Sequence, residues 1–395
     1  MLAEFFQFHL PTKVIAGAGL AGDFGNELAD LGITRPLIVC DPIVRKLGLL
    51  DPVIAGLKTA GVEPGAVFDE VPPNSELQVV RRVAALFQES HCDSLIAIGG
   101  GSTIDTAKVA NIMVSEAGDI ADGFDIADFV GVELLTRALK PLIVLPTTAG
   151  TGSEVTNVAV ILDETANVKV SFQDRHLVPN LAVLDPCLTV SMPPKVTAAT
   201  GMDALTHAME AFTGPQASPF SDAFAFTTVR LIHQSLRQAV TEPGDLDARL
   251  RMLVAACMGG IAFSHSMVGI VHAMSHTVGG LFHVAHGVAN AILLPTGLRY
   301  NLPVVTSKLA RLAPAFGLKD AGPEETTALR VIEAVDQLLA DLHADCGLPL
   351  RLRDVGLSES DLPAVAAGAM MDGASFCNPR DMDEDSVLVA LQAAF

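Results

Sequence analysis

The chain has 395 residues, half of them hydrophobic and 18% charged, which excludes an extended disordered chain and suits two domains better than one core. Its 25 Lys and Arg stand against 45 Asp and Glu, a formal charge of −20, so phosphate backbones and anionic lipid are repelled and no nucleic-acid or membrane partner is expected. The mean hydropathy is +0.43, yet the longest apolar candidate, Leu253–Phe263, falls short of the roughly 20 residues that span a bilayer.

The N-terminal stretch carries Glu4 and no basic start before its apolar part, so it does not read as a signal peptide. The six cysteines are scattered without a CxxC pair, which reads as reduced thiols and a cytoplasmic setting. A glycine-rich entry, Gly17-Ala-Gly19-Leu-Ala-Gly22, matches GxGxxG, but Leu20 to Ala29 also reads as a plain first helix. Short β-branched runs follow at Pro36–Cys40, Ser94–Ile98 and Pro141–Leu145, separated by helix-length segments such as Glu76–Ser90, whose apolar residues form one stripe. This rhythm predicts a parallel sheet covered on both faces. Asn157–Ile161 and Val168–Phe172 read as an added hairpin, and Leu181–Leu184 as the last strand.

Beyond Asp185-Pro186 the texture changes to Ala, Leu and Met with helical periodicity, and Asp222–Val240, Leu246–Phe263 and Val331–Cys346 are long helix candidates. The expected division is an α/β domain over 1–185 and an all-α domain over 186–395.

Two polar glycine turns follow buried strands. In the first, Gly99-Gly100-Gly101-Ser102 ends a strand and opens a helix, where close backbone approach and outward N–H groups suit a pyrophosphate. The second, Pro146-Thr147-Thr148-Ala149-Gly150-Thr151, lies at the same carboxyl edge, where open α/β sheets bind ligands. Asp41, at the end of its strand, is a ribose-hydroxyl acceptor or a turn-forming residue before Pro42.

The helical half holds Asp203 and His207 four apart, His272 and His276 four apart, and His286 in His283-Val-Ala-His286-Gly287. On helices, each pair shares one face. One carboxylate and several imidazoles in apolar surroundings point to a metal site, since burying that many polar groups without a shared role costs on the order of several kcal/mol. His9, His91, His176, His233 and His343 show no such pairing, while His265 and His283 stay open.

With these residues in place, the sequence resembles the iron-containing (group III) alcohol dehydrogenase family. The likeness runs from Leu10-Pro-Thr-Lys-Val-Ile-Ala-Gly17 through Val71-Pro-Pro-Asn74, GGGSTIDTAK at 99–108, PTTAGTGSEVT at 146–156, GMDALTHAMEA at 201–211, the histidine segment 269–294 and Asn378-Pro379-Arg380. It implies metal ligands at Asp203, His207, His272 and His286, and a catalytic, proton-relaying or cofactor-contacting role for His276. It implies a pyrophosphate loop at Gly99, Gly100, Gly101 and Ser102, and cofactor contacts from Thr147, Thr148, Thr151 and Lys169. Asp41 matches the position where an acid favours NAD over NADP. The complete set of one Asp and three His leans toward Fe2+, with Zn2+ the other candidate.

The reaction so implied interconverts a small primary alcohol or diol and its aldehyde with NAD. One carboxylate and three neutral imidazoles would leave a divalent ion with a net positive charge that suits an alcohol oxygen. Phe263 and Val268 are candidate walls of an apolar pocket or core residues. Other readings are a glycerol-dehydrogenase-like or dehydroquinate-synthase-like enzyme of the same fold, and a metallohydrolase. A cytoplasmic homo-oligomer, a dimer or larger, is expected.

Overall fold

A computed structural model describes residues 5–116, 124–166, 168–319 and 322–395. Met1–Glu4, where the N-terminal reading begins, lie outside the described residues. The chain divides into two compact units. One comprises Leu10–Thr148 with Gly152–Ser191, and the other takes the segment through His9, Ala149–Thr151 and Met192–Phe395.

The first unit runs β1 (Lys13–Ala16), α1 (Gly25–Asp30), β2 (Pro36–Cys40), α2 (Pro42–Lys46), α3 (Leu50–Thr59), β3 (Ala66–Phe68), α4 (Leu77–Glu89), β4 (Ser94–Gly99) and α5 (Gly101–Glu116). It continues with β5 (Gly131–Val132), β6 (Leu142–Pro146), β7 (Val158–Asp163), β8 (Val168–Gln173) and β9 (Leu181–Leu184). Strands β1-β9-β6-β4-β2-β3 form a parallel sheet in that order. The hairpin β7–β8 pairs antiparallel, with β5 beside β8.

Alternation along each central strand explains why both faces are covered. Leu37, Val39, Leu95, Ala97, Leu142 and Val144 point into one core with α4 and α5. Ile38, Cys40, Ile96, Ile98, Ile143 and Leu145 point into the other, with α1 and α3. Each such buried Leu or Ile contributes roughly 1.5–3 kcal/mol relative to exposure.

The expected first helix over Leu20–Ala29 is not continuous. A short 3-10 turn at Leu20–Gly22 stops at Asp23, and α1 begins only at Gly25. Gly19 sits at φ +85, and its N–H and that of Ala21 donate to the Asp185 carboxylate at 3.1 and 2.9 Å. The N–H of Cys187 donates to the same group at 3.0 Å. The N–H groups of the GxGxxG turn are therefore taken by a carboxylate of the chain itself.

The second unit is helical over its long segment: α6 (Pro194–Thr213), α7 (Pro219–Thr241), α8 (Leu246–Ser264), α9 (Ile270–Phe282), α10 (His286–Arg311), α11 (Glu324–Cys346), α12 (Leu362–Met371) and α13 (Glu384–Ala393). Helix α6 is buried along most of its length and packs against α7, α8 and α10. Glycines permit this closeness. A Cβ on Gly287 would lie 2.5 Å from the Ala199 carbonyl oxygen, and one on Gly201 2.3 Å from Leu236. Among the described residues, no helix is long and apolar enough to cross a membrane.

Candidate functional site

Helices α6, α9 and α10 bring the histidine group together. Asp203 and His207 lie one turn apart on α6, His272 and His276 one turn apart on α9, and His286 opens α10. One ligand atom from each of Asp203, His207, His272 and His286 falls within 4.8 Å of the others. Nε2 of His286 is 3.4 Å and Nε2 of His207 4.0 Å from Asp203 Oδ1. Asp203, His207 and His272 are buried, whereas the His286 side chain stays 37% exposed.

This donor set fits a divalent transition metal: one anionic oxygen and three imidazole nitrogens converge within 4.8 Å. Burial raises the Asp203 pKa, but His207, His286 and His272 and the Asn290 amide outweigh it and hold the carboxyl below its ordinary range. Burial pushes His272 well below the ordinary histidine value, with His207 and His276 adding to it. Asp203 is therefore ionised and His272 neutral at pH 7, the protonation states a metal requires.

The Asn290 amide nitrogen lies among these atoms, 2.7 Å from Asp203 Oδ1, 3.3 Å from His272 Nε2 and 3.1 Å from His286 Nε2. An amide N–H can only donate, so it takes the position of a weak positive charge facing the donors. Its own oxygen, and Nδ1 of His207, are buried without a partner.

His276 points elsewhere. Its Nδ1 is 2.9 Å from Asp372 Oδ2, the side chain is 43% exposed, and its ring stacks on His286 at 5.3 Å. Phe263 stacks on His207 at 4.3 Å, so it walls the histidine group rather than only filling core. The two open histidines lie outside the group. His265 packs on Phe8 and bonds Ile261 and His9, while His283 ends α9 in the left-handed region at φ 57.

Helix α9 has no side-chain cap of its own at Gly269. Its first free N–H groups are taken by distant side chains: Ile270 donates to Asn378 Oδ1 at 3.1 Å and Val271 to Glu210 Oε1 at 2.8 Å. Asn378 in turn exchanges bonds with Asn301, and Arg380 donates to the Tyr300 carbonyl and lies over its ring. The Asn378-Pro379-Arg380 motif thus anchors the histidine helix.

Neither Asn290 nor Asp372 was singled out in the sequence, and Glu210 and Asn378 stood only inside longer motifs. A signal existed for Glu210, three residues beyond His207 on the same helical face, and for Asn290, four beyond His286. Asp372 meets α9 only through tertiary structure and left none. Burial pushes Glu210 up to about 7, opposed by the N–H groups of Gly269, Val271 and His272.

In the sheet unit, the carboxyl ends of β2, β4 and β6 lie side by side, Cys40 opposite Ile98 and Gly99 opposite Pro146. Asp41, Gly99–Ser102, Thr147 and Thr148 therefore share one edge. The Thr147 N–H donates to the Gly99 carbonyl at 3.0 Å. A Cβ on Gly100 would meet Thr148 at 3.2 Å, and one on Gly99 would collide with Thr103 at 2.5 Å. The Ser102 hydroxyl donates to the Pro73 carbonyl.

Asp41 caps α2: its Oδ1 accepts from the N–H groups of Ile43 and Val44 at 2.8 and 3.0 Å. Both bonds fall on one oxygen, so the turn-forming reading of Asp41 holds without using Oδ2. Lys169 is not on this edge but on β8 of the second sheet, opposite Leu162, and Thr151 groups with the helical unit.

The family model described as "Iron-containing alcohol dehydrogenase" matches residues 11–186, and that described as "Fe-containing alcohol dehydrogenase family, C-terminal" matches 197–395. The chain is 37% identical to a 1,3-propanediol dehydrogenase of Klebsiella pneumoniae over the full length of both. It is 34% identical to an NAD-dependent methanol dehydrogenase of Bacillus methanolicus, over 94% of this chain and 95% of that one. A crystal structure of 1,3-propanediol oxidoreductase superposes with a TM-score of 0.94 at 37% identity, covering 99% of this chain and 100% of the other. On these grounds the chain belongs to the iron-containing alcohol dehydrogenase family and is an oxidoreductase of the alcohol dehydrogenase type.

Proposed function

We propose that the protein is an NAD-dependent alcohol dehydrogenase that interconverts a small primary alcohol or diol and its aldehyde, using one divalent ion held by Asp203, His207, His272 and His286. The observation that carries this is the convergence of those four donors within 4.8 Å. The names of the relatives, a propanediol and a methanol dehydrogenase, support a short primary alcohol or diol as substrate. Residues 1–185 would serve the dinucleotide and 186–395 the metal and the chemistry, in a cytoplasmic homo-oligomer.

When bound, NAD supplies the hydride acceptor and the divalent ion polarises the alcohol oxygen. The chain's own groups do the rest. The N–H groups of Gly99–Ser102 at the start of α5 would bind the pyrophosphate, with Thr147, Thr148, Thr151 and Lys169 as further cofactor contacts. Asp41 would accept from the adenosine ribose through the oxygen its cap leaves free and would repel a 2′-phosphate. His276 Nε2 would take the hydroxyl proton and pass it to water, with Asp372 holding the ring through Nδ1. Fe2+ is the preferred ion; Zn2+ binds such sites more tightly, so protein made without iron control would carry zinc and work more slowly.

The test is a panel of primary alcohols and diols with iron-loaded protein under anaerobic conditions, following NADH absorbance. NADH formation with at least one short alcohol or diol supports the reading. No NADH from any of them, with the metal bound, would overturn it.

A further inference from the structure

The geometry points to Glu210 as a positioning residue of the metal site: its carboxylate fixes the tautomer and ring orientation of His272 and thereby sets how tightly the four donors hold a divalent ion. This rests on the reading of Asp203, His207, His272 and His286 as ligands.

Glu210 lies on α6 with Asp203 and His207, and its side chain is 5% exposed. Its Oε2 is 2.6 Å from Nδ1 of His272, a short contact typical of a charge-assisted bond. The Glu210 carboxylate accepts, so the one proton of the neutral ring sits on Nδ1, and the Asn290 amide nitrogen, 3.3 Å from Nε2, faces the lone pair that remains. His272 thus donates to Glu210 and turns its free lone pair toward Asp203 and His286. A carboxylate in this position orients the ring and makes the ligating nitrogen more basic.

Capping of α9 alone would not call for a charge. The neighbouring N–H of Ile270 is satisfied by the neutral carboxamide of Asn378 at 3.1 Å. A buried carboxylate is costly unless its charge is used, and the imidazole is the partner that uses it. His207, by contrast, has no partner at its Nδ1, so within the group the carboxylate support falls on His272.

The experiment measures the dissociation constant for Co2+ on metal-free protein by competition with a chromophoric chelator. Wild type, Glu210→Gln, His272→Ala and the double variant are compared, with 15N spectra of histidine-labelled metal-free wild type alongside. Glu210→Gln is expected to weaken Co2+ binding about 10–100-fold, and to add nothing in the His272→Ala background, because the effect passes through that ring. The spectra should show His272 protonated at Nδ1. An unchanged dissociation constant in Glu210→Gln, an equal loss in both backgrounds, or His272 protonated at Nε2 would overturn the proposal. The spectrum needs no variant, so a poorly folding Glu210→Gln would not shield it. If His272→Ala itself left Co2+ binding unchanged, the ligand reading would fall and Glu210 with it; a loss in His272→Ala without one in Glu210→Gln would remove Glu210 alone.

Discussion

Of the two readings that the sequence left open for Asp41, the structure shows the cap. Its Oδ1 caps α2, and asparagine caps a helix as well as aspartate. Asp41→Asn therefore removes the charge without uncapping the helix, which Asp41→Gly would not do. Repulsion between a carboxylate and a 2′-phosphate at a few Å is on the order of 1–4 kcal/mol in partly screened surroundings, or roughly fivefold to nearly a thousandfold in preference. The expected result is a wild type that prefers NADH in kcat/KM and an Asp41→Asn variant in which NADPH gains by about that factor. Unchanged ratios would reduce Asp41 to a cap. Among the histidines, His286→Ala is expected to lower bound metal and turnover together while NADH binding, read by fluorescence, persists. Full metal content in that variant would break the four-ligand assignment. Asp203 and His207 were legible from spacing because an i, i+4 pair shares a helical face, whereas His272 and His286 were set apart from His276 only by the family resemblance. The partner Asp372 was not legible, since it lies far along the chain and meets α9 only after folding, and Asn378 stood in a quoted motif that gave no hint of its bond to α9.

At the scale of elements, the sheet was readable because β-branched runs and helix-length segments alternate, and β2 begins and ends where its apolar run does. The first helix was misread for a physical reason: periodicity over Leu20–Ala29 is helical, but the Asp185 carboxylate captures the N–H groups of Gly19 and Ala21 and the chain turns at Asp23. The close approach of α10 to α6 left only glycines as a trace. Gly287→Ala would place a methyl 2.5 Å from the Ala199 carbonyl oxygen and drive apart the helices that carry His286 and Asp203. Overpacking of this kind costs about 1–3 kcal/mol, so the midpoint of urea unfolding should fall and Co2+ affinity should weaken with it. Lower stability with unchanged Co2+ affinity would mean that this contact does not position the ligands.

For the whole molecule, the family and the fold agree over nearly the full chain. The central claim is that this chain oxidises an alcohol with NAD only through a divalent ion at Asp203, His207, His272 and His286. The most direct test titrates chelator-stripped protein with ferrous salt under anaerobic conditions, measuring bound iron and NADH formation from a short primary alcohol in the same samples. The account predicts that activity is absent at the start, rises in proportion to bound iron and saturates at one ion per chain. Full activity in the stripped protein, or activity that does not follow bound iron, would contradict it.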